Sequence, residues 1–143
     1  MKTQEIFSAF LKEKVAPNLR SAGLNGSGQN YYIKSDSHWA LIGFQKSTSS
    51  SSLEVKFTIN LYVVSKKEWE AGREESSYFP EKPTANISWR IGWNKRIGYL
   101  ISGNSDFWWS LTEKADLNKI SQHVVESITE KAIPAMRAQM QNA

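Results

Sequence analysis

Residues 53–63 alternate between apolar and polar side chains more regularly than any other part of the chain. The apolar positions are Leu53, Val55, Phe57, Ile59, Leu61 and Val63. Successive side chains of a strand point to opposite faces, so the pattern predicts an antiparallel strand with one buried face and a fixed register. A second strand signal covers residues 39–46, and a serine-rich segment separates the two. We therefore predict a β-hairpin over residues 39–63.

Apolar residues recur at helical spacing near both ends of the chain. The first set is Ile6, Phe7, Phe10 and Leu11, and the last is Leu117, Ile120, Val124, Ile128 and Ala132. These stripes predict an N-terminal helix that Pro17 kinks or restarts, and a C-terminal helix over about residues 114–132. The second helix is long enough to cover most of the apolar face of the 53–63 strand.

The remaining segments complete the predicted sheet. Further strands are predicted at 31–34, 86–93, 96–102 and 106–111, with a turn at 25–28. Residues 65–86 are predicted to be irregular apart from one helical turn at 66–70. The fold class that follows is α+β, with a single antiparallel sheet of five to six strands and the N- and C-terminal helices packed on one face. The length predicts one domain over residues 1–143.

Composition excludes several chemistries. The chain has no cysteine, which rules out disulfides, thiolate zinc sites, iron–sulfur clusters and a cysteine nucleophile. Its two histidines, His38 and His123, lack metal-ligand spacing, and Gly26-Ser27-Gly28 lacks the frame of a nucleophile turn. We recognise no catalytic or metal-binding motif, predict no cofactor, and leave enzymatic activity open. No apolar run is long enough for a membrane helix, so we expect a cytoplasmic protein without a membrane partner.

The best candidate for a binding site is the sequence Asp106-Phe107-Trp108-Trp109. If this stretch is extended, Phe107 and Trp109 share one face, and Asp106 and Trp108 share the other. A tryptophan on the second face indicates that this face is covered or used for binding. The candidate binding residues are Arg90, Arg96, Asp106, Trp108, Trp109 and Tyr62. Either arginine can pair with the carboxylate of Asp106.

The stretch from Trp89 to Tyr99 offers a second interpretation. It contains three cations and three aromatic residues without an acid. Basic side chains interleaved with aromatic rings can hold single-stranded nucleic acid by phosphate contacts and base stacking. The alternative is that the tryptophans belong to the core and Arg90 lies on the surface. The net charge of +4 is mostly interspersed, unlike the dense cationic stripe of a duplex-binding protein.

Several short motifs in a fixed order resemble one family. They are Phe7 and Phe10, Gly23-Leu24, Tyr31, Phe44-Gln45-Lys46-Ser47, Phe57-x-Ile59-Asn60, Arg90 or Arg96, Asp106-x-Trp108-Trp109 and Ile133-Pro134. In this order they resemble the bacterial domain-of-unknown-function family 4304 over most of the chain. The resemblance implies the fold more than an activity. Some similar small bacterial domains lie beside toxin genes and act as immunity proteins.

Three functions remain open at this point. The first is a non-catalytic cytoplasmic domain that binds another protein, with a toxin as one such partner. The second is a single-stranded nucleic-acid binding module that uses residues 89–99. The third is a ligand-binding protein or enzyme with a pocket built from arginine, Asp106 and Trp108, in which the indole would supply an apolar floor. The sequence leaves the oligomeric state undetermined.

Overall fold

The computed structural model describes residues 3–103 and 105–141, and these contain six strands and six α-helices. The strands are β1 (Asn25–Ser27), β2 (Asn30–Tyr32), β3 (His38–Lys46), β4 (Val55–Ser65), β5 (Trp93–Arg96) and β6 (Trp109–Leu111). The helices are α1 (Thr3–Phe10), α2 (Ala16–Ser21), α3 (Lys66–Glu75), α4 (Gly98–Ile101), α5 (Leu117–Ser127) and α6 (Ile133–Gln141). None of the helices in these residues is both long and apolar enough to cross a membrane.

The strands form one antiparallel sheet in the order β1-β2-β3-β4-β5. The predicted hairpin is confirmed as β3 and β4, which pair over nine residues of β3. The other edge of β4 is divided, because its residues 60–63 pair with β5 and its residues 55–57 pair with β6. β5 and β6 therefore lie along the same edge of one long strand, and residues 97–108 connect them.

The main core lies between one face of the sheet and the helices at the two ends of the chain. Five of the six alternating apolar residues of the 53–63 pattern are buried there, together with apolar residues of α1, α2, α5 and α6. The sixth, Leu53, was expected on the same face but precedes β4 and is 79% exposed. The predicted α+β class, with terminal helices on one face of an antiparallel sheet, is confirmed.

Both terminal helical regions contain a π-helical segment just before a proline. The segments are Leu11–Val15 and Ile128–Ala132. One residue separates the first segment from Pro17, and one residue separates the second from Pro134. The N–H of the next residue reaches back five positions in each case, from Ala16 to Leu11 and from Ile133 to Ile128. A proline ring clashes with the carbonyl four residues before it in a regular α-helix, and the wider turn relieves this clash. The predicted helix restart at Pro17 has this cause.

Several local predictions in the less regular segments were wrong. Residues 86–93 are irregular up to Trp93, because Asn94 accepts from the N–H of Trp89 and donates to its carbonyl oxygen. Residues 98–101 form α4 rather than a strand, and a continuous apolar run does not separate these two states. Only residues 109–111 of the predicted 106–111 strand are paired with β4. Residues 25–27, predicted as a turn, form β1.

The segment after β4 is also more regular than its composition indicates. Residues 66–75 form α3, where the prediction was a single turn followed by a loop. The Oγ of Ser65 accepts a 3.0 Å hydrogen bond from the N–H of Glu68 and caps this helix. Trp69 is the buried residue of α3, and it packs on the second face of the sheet. Half of that face is therefore covered.

Candidate functional site

The second face of the sheet, opposite the main core, has a covered half and an open half. In the covered half, Tyr62 of β4 lies beneath Trp69, with the two rings in an edge-to-face contact. Phe79 stacks on Trp69, and Trp89 packs edge-on against both. In the open half we define the open patch as five side chains: Gln45, Asn60, Arg96, Asp106 and Trp108. The open patch is the candidate site.

Arg96 is the centre of the open patch. It lies directly opposite Asn60 in the pairing of β4 with β5. Its Nε donates to Oδ1 of Asn60 at 3.0 Å, and its Nη1 donates to Oδ2 of Asp106 at 2.9 Å. Its Nη2 makes a longer contact of 3.4 Å with Oε1 of Gln45. Three directions of the guanidinium group are therefore fixed by side chains from three different parts of the chain.

Asp106 holds both Arg96 and Trp108 in place. Its Oδ2 accepts from Nη1 of Arg96 and from Nε1 of Trp108, each at 2.9 Å, and its Oδ1 accepts from the N–H of Phe107 at 3.1 Å. Partial desolvation raises the pKa of Asp106, but these hydrogen bonds and the charge of Arg96 outweigh it and lower that pKa below its usual value of 3.8. The side chain is therefore an anion near neutral pH.

The two adjacent tryptophans point to opposite faces, as the sequence pattern predicts. Trp109 is buried in the main core, stacked on Phe57 at a centroid distance of 5.4 Å, and its Nε1 donates to Nδ1 of His123. Trp108 is only partly buried and lies in the open patch, with the guanidinium carbon of Arg96 5.2 Å from its ring centroid. This distance is within the range of a cation–π contact. The indole and the guanidinium group thus form one stacked unit at the surface.

A chain of amide side chains continues from Arg96 across the sheet. The Nδ2 of Asn60 donates to Oε1 of Gln45 at 2.6 Å and to Oδ1 of Asn86 at 2.9 Å. The Nδ2 of Asn86 donates in turn to the carbonyl oxygen of Phe44 at 3.2 Å. Gly43 makes this approach possible, because a Cβ at that position would lie 2.5 Å from Oδ1 of Asn86. The open patch is therefore supported from the neighbouring strand.

A shallow pocket of about 270 Å³ adjoins the open patch. Its polar lining comes from Gln45, Asn60, Asn86, Ser88, Asn94 and Arg96. Lys95 also borders the pocket, but it pairs with the core residue Leu61, so its side chain belongs to the other face of the sheet. No aspartate or glutamate contributes to this lining among the residues that the structure describes. The exposed side chain of Ile87 lies on its rim. The pocket has the form of a surface depression with the guanidinium group of Arg96 in its wall.

The structure brings together some of the predicted site residues and separates others. Arg96, Asp106 and Trp108 meet in the open patch, and Arg96 is the arginine that pairs with Asp106.

Arg90 is exposed and lies over the ring of Phe79 at 5.9 Å, away from Asp106. Trp109 is a core residue. Tyr62 is fully buried, its hydroxyl donates to the carbonyl oxygen of Ile91 at 2.7 Å, and burial raises its pKa.

Three residues of the site were not among the predicted binding residues: Gln45, Asn60 and Asn86. Gln45 and Asn60 entered the sequence analysis only as parts of the motifs that resemble the family. Asn60 carries a signal, because asparagine is depleted in strands and this one lies in the middle of an eleven-residue strand. Gln45 and Asn86 carry no such local signal for a binding role, since their contact with Asn60 depends on the strand register and on the course of residues 83–88.

The comparisons with known proteins identify a family but no relative. The sequence model of the family described as "Domain of unknown function (DUF4304)" matches residues 15–138. This match covers most of the chain, so the chain belongs to that family. No curated protein and no solved structure matches it.

Proposed function

We propose that this member of the DUF4304 family is a non-catalytic domain that binds another protein through the open patch. The observation that carries the proposal is the stack of Trp108 on Arg96, fixed by their shared hydrogen bonds to Asp106. Tryptophan and arginine are the residues most enriched at interface positions that contribute strongly to affinity. Both are held in one geometry before binding, so little side-chain entropy would be lost in a complex.

The shape of the site supports a protein partner over a small substrate. The open patch and its pocket form an open surface, whereas small-molecule sites usually enclose most of the ligand. Arg96 and Asp106 form an ion pair, and the amide group of Asn60 is hydrogen-bonded to Gln45 and Arg96. An arrangement of paired, mutually bonded side chains favours a rigid recognition surface. A ligand-binding or catalytic role of the same residues remains the alternative.

The partner class that we put first is a protein toxin that this domain neutralises, in the cytoplasm of a bacterium. The absence of cysteine from the chain fits a reducing compartment. The resemblance of the sequence to small bacterial domains that include immunity proteins supports the toxin. The neighbouring genes provide a direct check. A toxin gene beside this gene would favour a toxin as the partner. If no genome that carries the domain has a toxin gene beside it, a toxin partner is contradicted.

The nucleic-acid alternative loses part of its support in the structure. Of the aromatic residues in the 89–99 stretch, Trp89 packs in the covered half of the second face, and Trp93 packs against the main core. Tyr99, the third aromatic residue of this stretch, is 45% exposed. Stacking of successive bases needs several accessible rings in a row. A titration with single-stranded oligonucleotides at low ionic strength tests this alternative, and saturable binding that weakens steeply with salt would support it.

The test of protein binding compares three forms of the protein as bait in extracts of the source cell. Wild type and Tyr78→Ala are expected to retain the same partner, and Trp108→Ala is expected to lose it. Tyr78 is the matched control, because it is an aromatic side chain that is 91% exposed and lies outside the open patch. We expect Trp108→Ala to weaken binding of the purified partner by about thirtyfold or more, the effect of losing about 2 kcal/mol at a hot spot.

Folding of the bait must be measured alongside capture. The far-ultraviolet circular dichroism spectrum and the urea midpoint of Trp108→Ala show whether the variant remains native. A native Trp108→Ala protein that binds the partner as tightly as wild type would refute the proposed surface. Equal loss of binding in Tyr78→Ala would also refute it, because the contact would then not be specific to the open patch.

A further inference from the structure

The orientation of every amide in the open patch follows from the two ends of its hydrogen-bond chain. At one end, Arg96 has only donors, so the Asn60 atom that it contacts must be the oxygen. Asn60 then presents its NH₂ group to Gln45 and Asn86, so both of these present oxygen atoms in return. At the other end, the carbonyl oxygen of Phe44 requires the NH₂ group of Asn86. The direction of the chain is consistent from end to end.

This direction engages every amide oxygen of the chain in a hydrogen bond, whereas some N–H donors beside the pocket remain without one. The amide oxygens of Asn60, Gln45 and Asn86 all accept hydrogen bonds within the network. The oxygen of Asn94 accepts from the N–H of Trp89. The NH₂ group of Gln45 makes no hydrogen bond to any residue that the structure describes, and Arg96 uses three of its five N–H groups.

A pocket with unused N–H donors and a guanidinium group in its wall can hold an oxyanion. Arg96 supplies the positive charge, and no acid of the described residues lines the pocket. The charge of Arg96 is already balanced in part by Asp106 at 2.9 Å. A monoanion therefore fits better than a dianion, whose second charge would be repelled by that carboxylate. A planar carboxylate also matches the fork of an arginine.

From this geometry we infer that the pocket binds a carboxylate, presented by an aspartate or glutamate side chain of the protein partner. The inference rests on the proposed function for the source of the carboxylate, and on the pocket alone for its chemistry. The carboxylate accepts from the free N–H groups of Arg96 and from the NH₂ group of Gln45. Trp108 and Ile87 then contact the apolar surroundings of that acidic residue on the partner.

The test titrates the whole domain with acetate and follows the ¹⁵N-labelled side chains of Gln45 and Arg96 by nuclear magnetic resonance. Acetamide, which has the same shape without the charge, is the matched control ligand, and sodium chloride keeps the ionic strength constant. We expect saturable shifts of the Gln45 NH₂ and Arg96 Nε–H signals with acetate and none with acetamide. Equal shifts with both ligands, or none with acetate, would overturn the inference.

Two further measurements separate the chemistry from the surface. Gln45→Glu keeps an oxygen for Asn60 but replaces the free NH₂ group with a carboxylate, so acetate affinity should fall by about tenfold or more. Inorganic phosphate that binds more tightly than acetate would overturn the assignment to a carboxylate.

Acetate binding by the wild-type domain and partner binding by Trp108→Ala test the inference and the proposed function separately, because the acetate titration needs no partner. Acetate binding by wild type together with unchanged partner binding by Trp108→Ala would remove the proposed function and keep the carboxylate pocket. If Trp108→Ala loses partner binding but the wild-type domain does not bind acetate, the proposed function stands and the assignment of the pocket to a carboxylate is wrong.

Discussion

The hydroxyl group of Thr58 donates a 2.7 Å hydrogen bond to the main-chain carbonyl oxygen of Phe107. Thr58 is fully buried and lies on β4 between the residues that pair with β5 and those that pair with β6. At this point the side chain of Thr58, instead of a backbone hydrogen bond between paired strands, joins β4 to the segment before β6. The bond fixes the start of the segment that carries Asp106 and Trp108, so the geometry of the open patch depends on a residue beneath it.

Replacing Thr58 tests this support. Thr58→Val keeps the shape of the side chain but leaves the carbonyl oxygen of Phe107 without its donor. We expect the free energy of unfolding to fall by about 1–3 kcal/mol, the cost of a buried polar group that loses its partner. Thr58→Ser retains the hydroxyl group and should lose less. Urea denaturation measures both, and a Val variant as stable as wild type would show that the bond contributes nothing.

The charge of Asp106 should make stability depend on pH in the acidic range. The pKa of Asp106 is lower in the folded protein than its usual value of 3.8, so its contribution is complete above that value and is lost as the pH falls through the folded pKa. The difference in stability between wild type and Asp106→Asn is therefore expected to be constant near neutral pH and to shrink in acid. A difference that grows in acid would contradict the assigned interactions.

Gly43 should tolerate a methyl group only if Asn86 is shortened. A Cβ on Gly43 would lie 2.5 Å from Oδ1 and 2.9 Å from Cγ of Asn86. Gly43→Ala is expected to lower the free energy of unfolding by about 1–3 kcal/mol, as overpacking of a tight site does. In an Asn86→Ala background both close atoms are gone, so the same change should cost much less. Equal costs in the two backgrounds, measured as a double-mutant cycle, would show that Asn86 is not the obstacle.

The sequence predicted those parts of the structure that depend on local periodicity. The alternation over residues 53–63 predicted β4, and the same period of two placed Trp108 and Trp109 on opposite faces. The run from Ile97 to Ile101 has no such alternation, and its close approach to Phe107 through Gly98 depends on the tertiary structure. Here the prediction of a strand was wrong.

The candidate site was predicted only in part, for a related reason. Asp106 and Trp108 are two positions apart on one face, so the sequence placed them together. The sequence did not show whether Arg90 or Arg96 pairs with Asp106, because the choice depends on which of the two arginines lies in β5. In the structure β5 ends at Arg96, directly opposite Asn60, and the long-range register brings Gln45 beside them. Polar networks across strands leave no periodic signal along the chain.

The two adjacent tryptophans should differ sharply in their effect on stability. Trp109 is 5% exposed, stacks on Phe57 and donates to His123, so Trp109→Ala is expected to cost about 3–5 kcal/mol. Trp108 contacts Arg96 and Asp106 at the surface, and Trp108→Ala should cost about 1–2 kcal/mol. Trp109→Phe keeps an aromatic ring without the N–H donor and should fall between these values. Equal losses for the two alanine variants in urea denaturation would mean that both rings belong to the core, and the open patch would then lose its only aromatic anchor among the residues that define it.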